Sequence, residues 1–136
     1  MHLRSFQMED YEAVAALWRE AGLHLSKSDS RAGIARKLER DADVFLVAED
    51  EGTIVGAVMG TYDGRRAWVN HLAVAAACRG HGLGKRLIEE MERRLRAKGC
   101  DKVNLLIEPD NAGVQEFYQQ LGYEQRQLIF MQKWLG

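Results

Sequence analysis

The sequence predicts an α/β sandwich in one domain. Its sheet is central, mixed and mostly antiparallel, with about seven strands, helices on both faces and the order βααβββαβαββ. Three observations carry this. Apolar and β-branched runs at 44–49, 53–62 and 67–74 are separated only by turn signals, the pattern of a meander. The third run enters a glycine-rich turn, Arg79-Gly80-His81-Gly82-Leu83-Gly84, that opens at once into a helical pattern. Beyond that helix a fourth run, 102–108, lies parallel to 67–74 when the helix crosses over.

Each element has its own signal. Residues 2–6 alternate as a short first strand. Tyr11, Val14, Leu17 and Trp18 fall on one face of a helix spanning 8–22, and Gly22 stops it. The polar connector 26–30 offers several N-caps. A second helix over 29–41 has only Ile34 and Leu38 as strong apolar anchors, a stripe thin enough to predict a lid-like or mobile helix. Asp50-Glu51-Gly52 and Asp63-Gly64 are the two hairpin turns. Leu83, Leu87, Ile88, Met91 and Leu95 share one face of the helix after the glycine turn, which Gly99 ends. The pairs Glu89–Arg93, Glu90–Arg94 and Glu92–Arg96 then predict a self-paired, solvated outer face. Pro109-Asp110 breaks the 102–108 strand, a helix follows over 111–120, and Gly122 releases the chain into closing strands at 122–126 and 128–134.

Composition narrows the function. The 136 residues hold one core, with 46% hydrophobic and 29% charged residues. A net charge of −1 with interspersed signs gives no basic field for nucleic acid. No apolar run approaches the roughly 18–20 residues of a membrane span, and the N-terminus has no signal core, so a cytoplasmic location is expected. Cys78 and Cys100 lack metal-ligand spacing, and reduced thiols and no metal are expected.

The glycine turn is an anion cradle. Glycines bend the backbone without Cβ clashes, and the exposed amides at the helix start hold a phosphate or pyrophosphate. A nucleotide P-loop requires Gly-Lys followed by Ser or Thr, whereas Arg86 follows Gly84-Lys85. A dinucleotide fingerprint requires a third glycine where Lys85 stands. What remains is Arg79-x-x-Gly82-x-Gly84 after a Leu72-Ala73-Val74 strand end. Downstream, Asn111 is followed by Tyr118 and then Leu121-Gly122-Tyr123. The first pattern resembles the pyrophosphate loop of the GNAT N-acetyltransferase superfamily. The second resembles that family's N-x-x-A-x-x-x-Y-x-x-x-G-F/Y signature, with Val114 in place of the small residue. The resemblance spans essentially all of residues 1–136 and is closest to small, stand-alone bacterial members of the YpeA type.

The resemblance implies transfer of an acetyl group from acetyl-CoA, as co-substrate, to a primary amine of a small molecule or a peptide. With the charge and hydropathy above, no nucleic-acid or membrane partner is expected, and a monomer or homodimer is. The resemblance places the pyrophosphate on Arg79, Gly80, His81, Gly82, Leu83, Gly84 and Lys85, and the pantetheine arm on the backbone of Leu72, Ala73 and Val74. Asn111 contacts acetyl-CoA while capping its helix, and Tyr118 is the general acid that protonates the leaving thiolate. The region of the second helix helps form the acceptor site.

No family base transfers. The N-terminal acetyltransferase branch has a Glu five residues before the Asn, where this chain has Leu106, and the 67–74 strand holds no acid. Glu108, on the same strand face as 106, is the first candidate base and His71 the second. Without a strong base, a low-pKa amine is favoured: an α-amine of pKa about 7.7–8.0 is roughly 10–20% neutral at pH 7, a lysine less than ~0.1%. Cys78 beside the helix start offers a less economical acetyl-cysteine route. Tyr62, Asp63, Arg65 and Arg66 form a turn near the cleft mouth. The rival readings are an acyl-CoA sensor that transfers nothing and a generic nucleotide-phosphate binder. Amine-dependent thiol release separates the first from an enzyme.

Overall fold

A computed structural model describes all residues, Met1–Gly136. The elements are β1 (His2–Ser5), α1 (Tyr11–Glu20), α2 (Arg31–Asp41), β2 (Phe45–Asp50), β3 (Thr53–Tyr62), β4 (Ala67–Val74), α3 (Leu83–Ala97), β5 (Val103–Asn104) and α4 (Gln115–Gln120), with short 3-10 turns between them. The chain divides into two units, Met1–Leu106 and Ile107–Gly136.

The first unit contains the sheet. Its five strands run β1-β2-β3-β4-β5, so each strand pairs with its neighbours in sequence. The first three pairings are antiparallel and β4–β5 is parallel, because α3 carries the chain back across the sheet. Strand alternation sorts the side chains to two faces. On one face Phe45, Val47, Ala57 and Met59 form a core with Phe6, Val14, Leu17 and Trp18. On the other, Gly56 and Gly60 lie beneath Leu83, Leu87 and Met91 of α3. All five apolar residues on the predicted stripe of α3 are buried.

Helix α2 is not the loose lid its thin stripe predicts. Ile34 is 1% exposed and belongs to the core cluster. The helix starts where Ser30 Oγ accepts the Gly33 amide. Its polar side also anchors it, because Lys37 donates to both Asp41 and the Gly60 carbonyl of β3. A count of apolar positions cannot register that tie.

The outer face of α3 carries the expected Glu90–Arg94 pair and also reaches beyond the helix. Glu90 accepts from both Arg93 and Arg94. Arg94 continues to Ser5 Oγ at 2.7 Å and the Asp43 carbonyl at 2.9 Å, and Lys98 meets Asp43 at 3.0 Å. These long cationic side chains tie α3 to β1 and to the 3-10 turn before β2 as well as to its own Glu90.

The sheet is shorter than the predicted seven strands. The 102–108 run pairs only at Val103 and Asn104. The closing strands at 122–126 and 128–134 do not form, and the sheet ends at five. A strand exists through its ladder, and β-propensity without a paired edge does not make one. Leu128, Ile129, Phe130, Met131, Trp134 and Leu135 are accordingly exposed. In the second unit, the predicted 111–120 helix is reduced to α4, preceded by a 3-10 segment, Pro109–Val114. No helix is long and apolar enough to cross a membrane.

Candidate active site

Strand β4 pairs with β5 only at Ala67↔Val103 and Trp68↔Asn104. From Val69 onward no strand pairs with its outer edge, so the backbone of Leu72–Val74 has no ladder partner on that side. An open edge of this kind can receive an extended chain with amide groups. Val74 leads through the 3-10 turn Ala76–Cys78 into the glycine turn. Gly80 and Gly82 have φ of +82° and +81°, a conformation costly for any residue with a Cβ. Gly82 is the N-cap of α3 and has no side chain to close over the first-turn amides. A Cβ at Gly80 or Gly82 would meet nothing within 4 Å, so open space lies above the loop. Arg79 is exposed and donates from Nε to the Val74 carbonyl at 3.1 Å. His81 and Lys85 are exposed on either side of Leu83, which is buried under the helix. The edge, loop and helix start are thus contiguous and suited to one phosphate-bearing ligand.

A second feature lies on β4 itself. Between Ala57↔Ala73 and Met59↔Asn70, β3 has one residue and β4 has two, His71 and Leu72. This is a β-bulge, which re-aims a side chain out of the ladder's alternation. His71 takes the turn with φ of +54°, a left-handed conformation that histidine tolerates better than most residues. Its Nε2 lies 2.9 Å from Asp29 Oδ1, and its ring packs edge-on against Trp18 at 5.1 Å. Asp29 is 8% exposed. Its other oxygen accepts the Ser26 amide, and its carbonyl accepts the Tyr11 hydroxyl. Burial pushes the Asp29 carboxyl up, but the bonds from His71 and Ser26 outweigh it and hold the carboxyl below its usual range.

His71 and Asp29 line an open cavity of about 450 Å³. Its walls also include His24, Arg36, Lys37, Arg40, Asp41, Thr61 and Asn70. The helix and the 27–29 turn approach closely behind it. A Cβ at Gly33 would stand 2.2 Å from the Ser28 carbonyl oxygen, a backbone atom that cannot swing away. Gly33→Ala is expected to cost about 1–3 kcal/mol in urea unfolding through this overpacking. An unchanged midpoint would show that the turn moves freely.

The second unit holds the remaining predicted residues. Glu108 is exposed and precedes the 3-10 segment at Pro109, so it does not share a strand face with Leu106, which is itself 58% exposed. The strand has already ended at Asn104. Asn111 does not cap α4. It sits inside the 3-10 segment with φ −117° and ψ 24°, and its amide donates to the Glu108 carbonyl. Val114 is the N-cap. Tyr118 is buried, with its ring edge-on to Phe117 and Tyr123 at 5.0 and 5.5 Å. Burial pushes its phenol up to about 12.

Cys78 is half-buried and Cys100 buried, and neither forms a disulfide. Asp63 closes the 62–66 hairpin by accepting the Arg65 and Arg66 amides. Sequence reading passed over Asp29, Lys37, Asp41, Arg36 and Arg40. Asp29 lies in a run of capping residues, and nothing local marks its partner 42 positions away. The i,i+4 spacing of Arg36 and Arg40 was the one available signal.

The Acetyltransferase (GNAT) family matches residues 4–123 of the chain. An acetyltransferase of Yersinia pestis (strain Pestoides F) is 42% identical over 133 residues, covering 98% of this chain and 94% of that protein. An acetyltransferase of Pectobacterium atrosepticum is 44% identical over 124 residues, covering 91% and 88%. Among solved structures, Ard1 from Thermoplasma volcanium shares the fold with a TM-score of 0.80 at 24% identity, covering 89% of this chain and 80% of that one. Fold, open strand edge, glycine loop and family match agree, and the chain belongs to the GNAT acetyltransferase family.

Proposed function

We propose that residues 1–136 act as one catalytic domain that transfers the acetyl group of acetyl-CoA directly to a primary amine, in a small molecule or at a peptide N-terminus. The supporting observation is the unpaired edge of β4 running straight into a side-chain-free helix start. The backbone of Leu72–Val74 would hold the pantetheine amides. The amides of Gly80–Lys85, with Arg79 and Lys85, would hold the pyrophosphate, and Asn111 would add a contact. The acceptor occupies the cavity beside β4.

We place the base at His71 rather than Glu108. His71 lines the cavity and is oriented by a buried carboxylate, whereas Glu108 is exposed beyond the end of β5, at the start of the 3-10 segment. The acceptor ammonium gives a proton to His71 and its nitrogen bonds to the acetyl carbon. The carbonyl then re-forms as the carbon–sulfur bond breaks, Tyr118 supplies a proton to the departing thiolate, and the second proton lost by the nitrogen restores the Tyr118 phenol through solvent. Asp29 acts by holding the imidazole in one orientation.

Thiol release from acetyl-CoA across an amine panel, with product mass spectrometry, tests the reaction. N-acetyl product equal to thiol supports it. Binding of acetyl-CoA without amine-dependent thiol release would indicate a sensor instead. His71→Asn keeps a residue that accepts the left-handed backbone. It should lower kcat by about a hundredfold, the low end of base catalysis, because an α-amine is already partly neutral at pH 7. It should also change the shape of the kcat–pH profile. An unchanged profile with an unchanged kcat would exclude His71 as the base.

A further inference from the structure

The cavity beside β4 contains more positive charge than the protein itself neutralises. Asp41 is engaged by Lys37 and by the Tyr62 amide at 3.0 Å. Asp29 is engaged by His71 and Ser26. Those are the only two carboxylates in the cavity wall, and both are committed. Arg36 and Arg40 remain, exposed on the same face of α2 four residues apart, and neither has a carboxylate within ion-pair distance. Asp63 feels Arg40 through space but forms no ion pair with it, its Oδ1 accepting the Arg65 and Arg66 amides. Two like charges at this spacing weaken a helix by a few tenths of a kcal/mol, so the pair works against α2 folding. An arginine is charged at every relevant pH, and its planar fork matches a carboxylate or phosphate through two parallel bonds.

We propose that the acceptor amine is a small molecule carrying an anionic group, a carboxylate or a phosphate, which Arg36 and Arg40 hold while its amine reaches His71. This rests on reading the cavity as the acceptor site of an acetyltransferase. The cavity volume lies within the range of small-molecule sites. The arrangement has two ends: a cationic pair on α2 to recognise the anion, and the oriented imidazole on β4 to receive the proton. Selectivity comes from the anion, because an amine without one leaves the two guanidinium groups unpaired.

Matched pairs test this with the full chain. One pair is an α-amino acid and its carboxamide, and the other is 2-aminoethyl phosphate and 2-aminoethanol. The carboxamide has the more acidic ammonium, so amine basicity alone favours it over the acid. The anionic member of at least one pair should show a kcat/KM at least tenfold higher, and the pair that does so identifies carboxylate or phosphate. In the double variant Arg36→Gln/Arg40→Gln that ratio should collapse towards one through a rise in KM. Thermal shift without acetyl-CoA should show stabilisation of the wild type by the anionic amine and none of the variant. Calorimetry of acetyl-CoA with the variant checks that the other half of the site is intact. Equal or better use of the neutral members, or a preference that survives the double variant, overturns the anion site. Thiol release with neutral amines would then leave acetyl transfer standing. No thiol release with any amine, alongside a thermal shift by the anionic ones, would instead overturn the transfer reading and keep the anion site.

Discussion

Tyr118→Phe is expected to lower kcat by about a hundredfold or more, while the affinity for acetyl-CoA changes less than threefold. In the proposed reaction the phenol is a proton donor to a thiolate, and phenylalanine retains the ring packing against Phe117 and Tyr123 but not the proton. Burial pushes the Tyr118 hydroxyl from 10 up to about 12, so it stays protonated throughout the working range. The same shift gives a second readout that does not depend on chemistry. A folded-state value above the unfolded one contributes stability that is complete below pH 10 and is lost as pH rises through about 12. Two units correspond to about 2–3 kcal/mol. Denaturant unfolding of wild type and Tyr118→Phe should therefore diverge between pH 10 and 12, with only the wild type losing this increment. A kcat within threefold of wild type would remove Tyr118 from the reaction. A wild-type curve parallel to the variant's at high pH would remove the buried phenol.

Asp41→Ala is expected to destabilise the fold by about 3–5 kcal/mol. The Lys37 and Asp41 side chains are 12% and 6% exposed, and burial is the largest influence lowering the Lys37 ammonium. Removing Asp41 leaves that charge in a poorly solvated place with the Gly60 carbonyl as its remaining partner. It also orphans the Tyr62 amide. Lys37→Met/Asp41→Leu, which removes both charges and fills the space, should recover most of the loss. Urea unfolding at pH 7 measures both. If Asp41→Ala stays within 1 kcal/mol of wild type, the pair is better solvated than its burial indicates. If the double variant is as unstable as the single one, the loss comes from packing and not from the stranded charge.

These two residues were legible to different degrees. Tyr118 could be picked out because its spacing from Asn111 and from Leu121-Gly122-Tyr123 is a matter of counting. Its burial beside Phe117 followed from an apolar helix face. The glycine loop was equally open to reading, since positive φ at Gly80 and Gly82 is a demand the residue type itself announces. Strands β3 and β4 and helix α3 matched their expected bounds for a similar reason: their periodicity is strong over eight or more residues. Nothing in the spacing of Lys37 and Asp41 marks them as buried, and the pair is closed off where Lys37 meets the Gly60 carbonyl of β3.

The sequence alone determined the meander, the crossover through α3 and the glycine turn after β4, because each depends on residues close together in the chain. Tertiary structure decided the rest. The bulge that turns His71 onto Asp29 depends on β4 having one residue more than β3 between two shared pairings, and either strand alone reads as regular. The ends of β5 and the unpaired 122–134 run depend on whether an edge meets a partner. The two unmatched arginines became visible only once the cavity's carboxylates were found already engaged. Local propensity sets which conformations are cheap, but a ladder, a bulge and a spare charge are each properties of two segments at once.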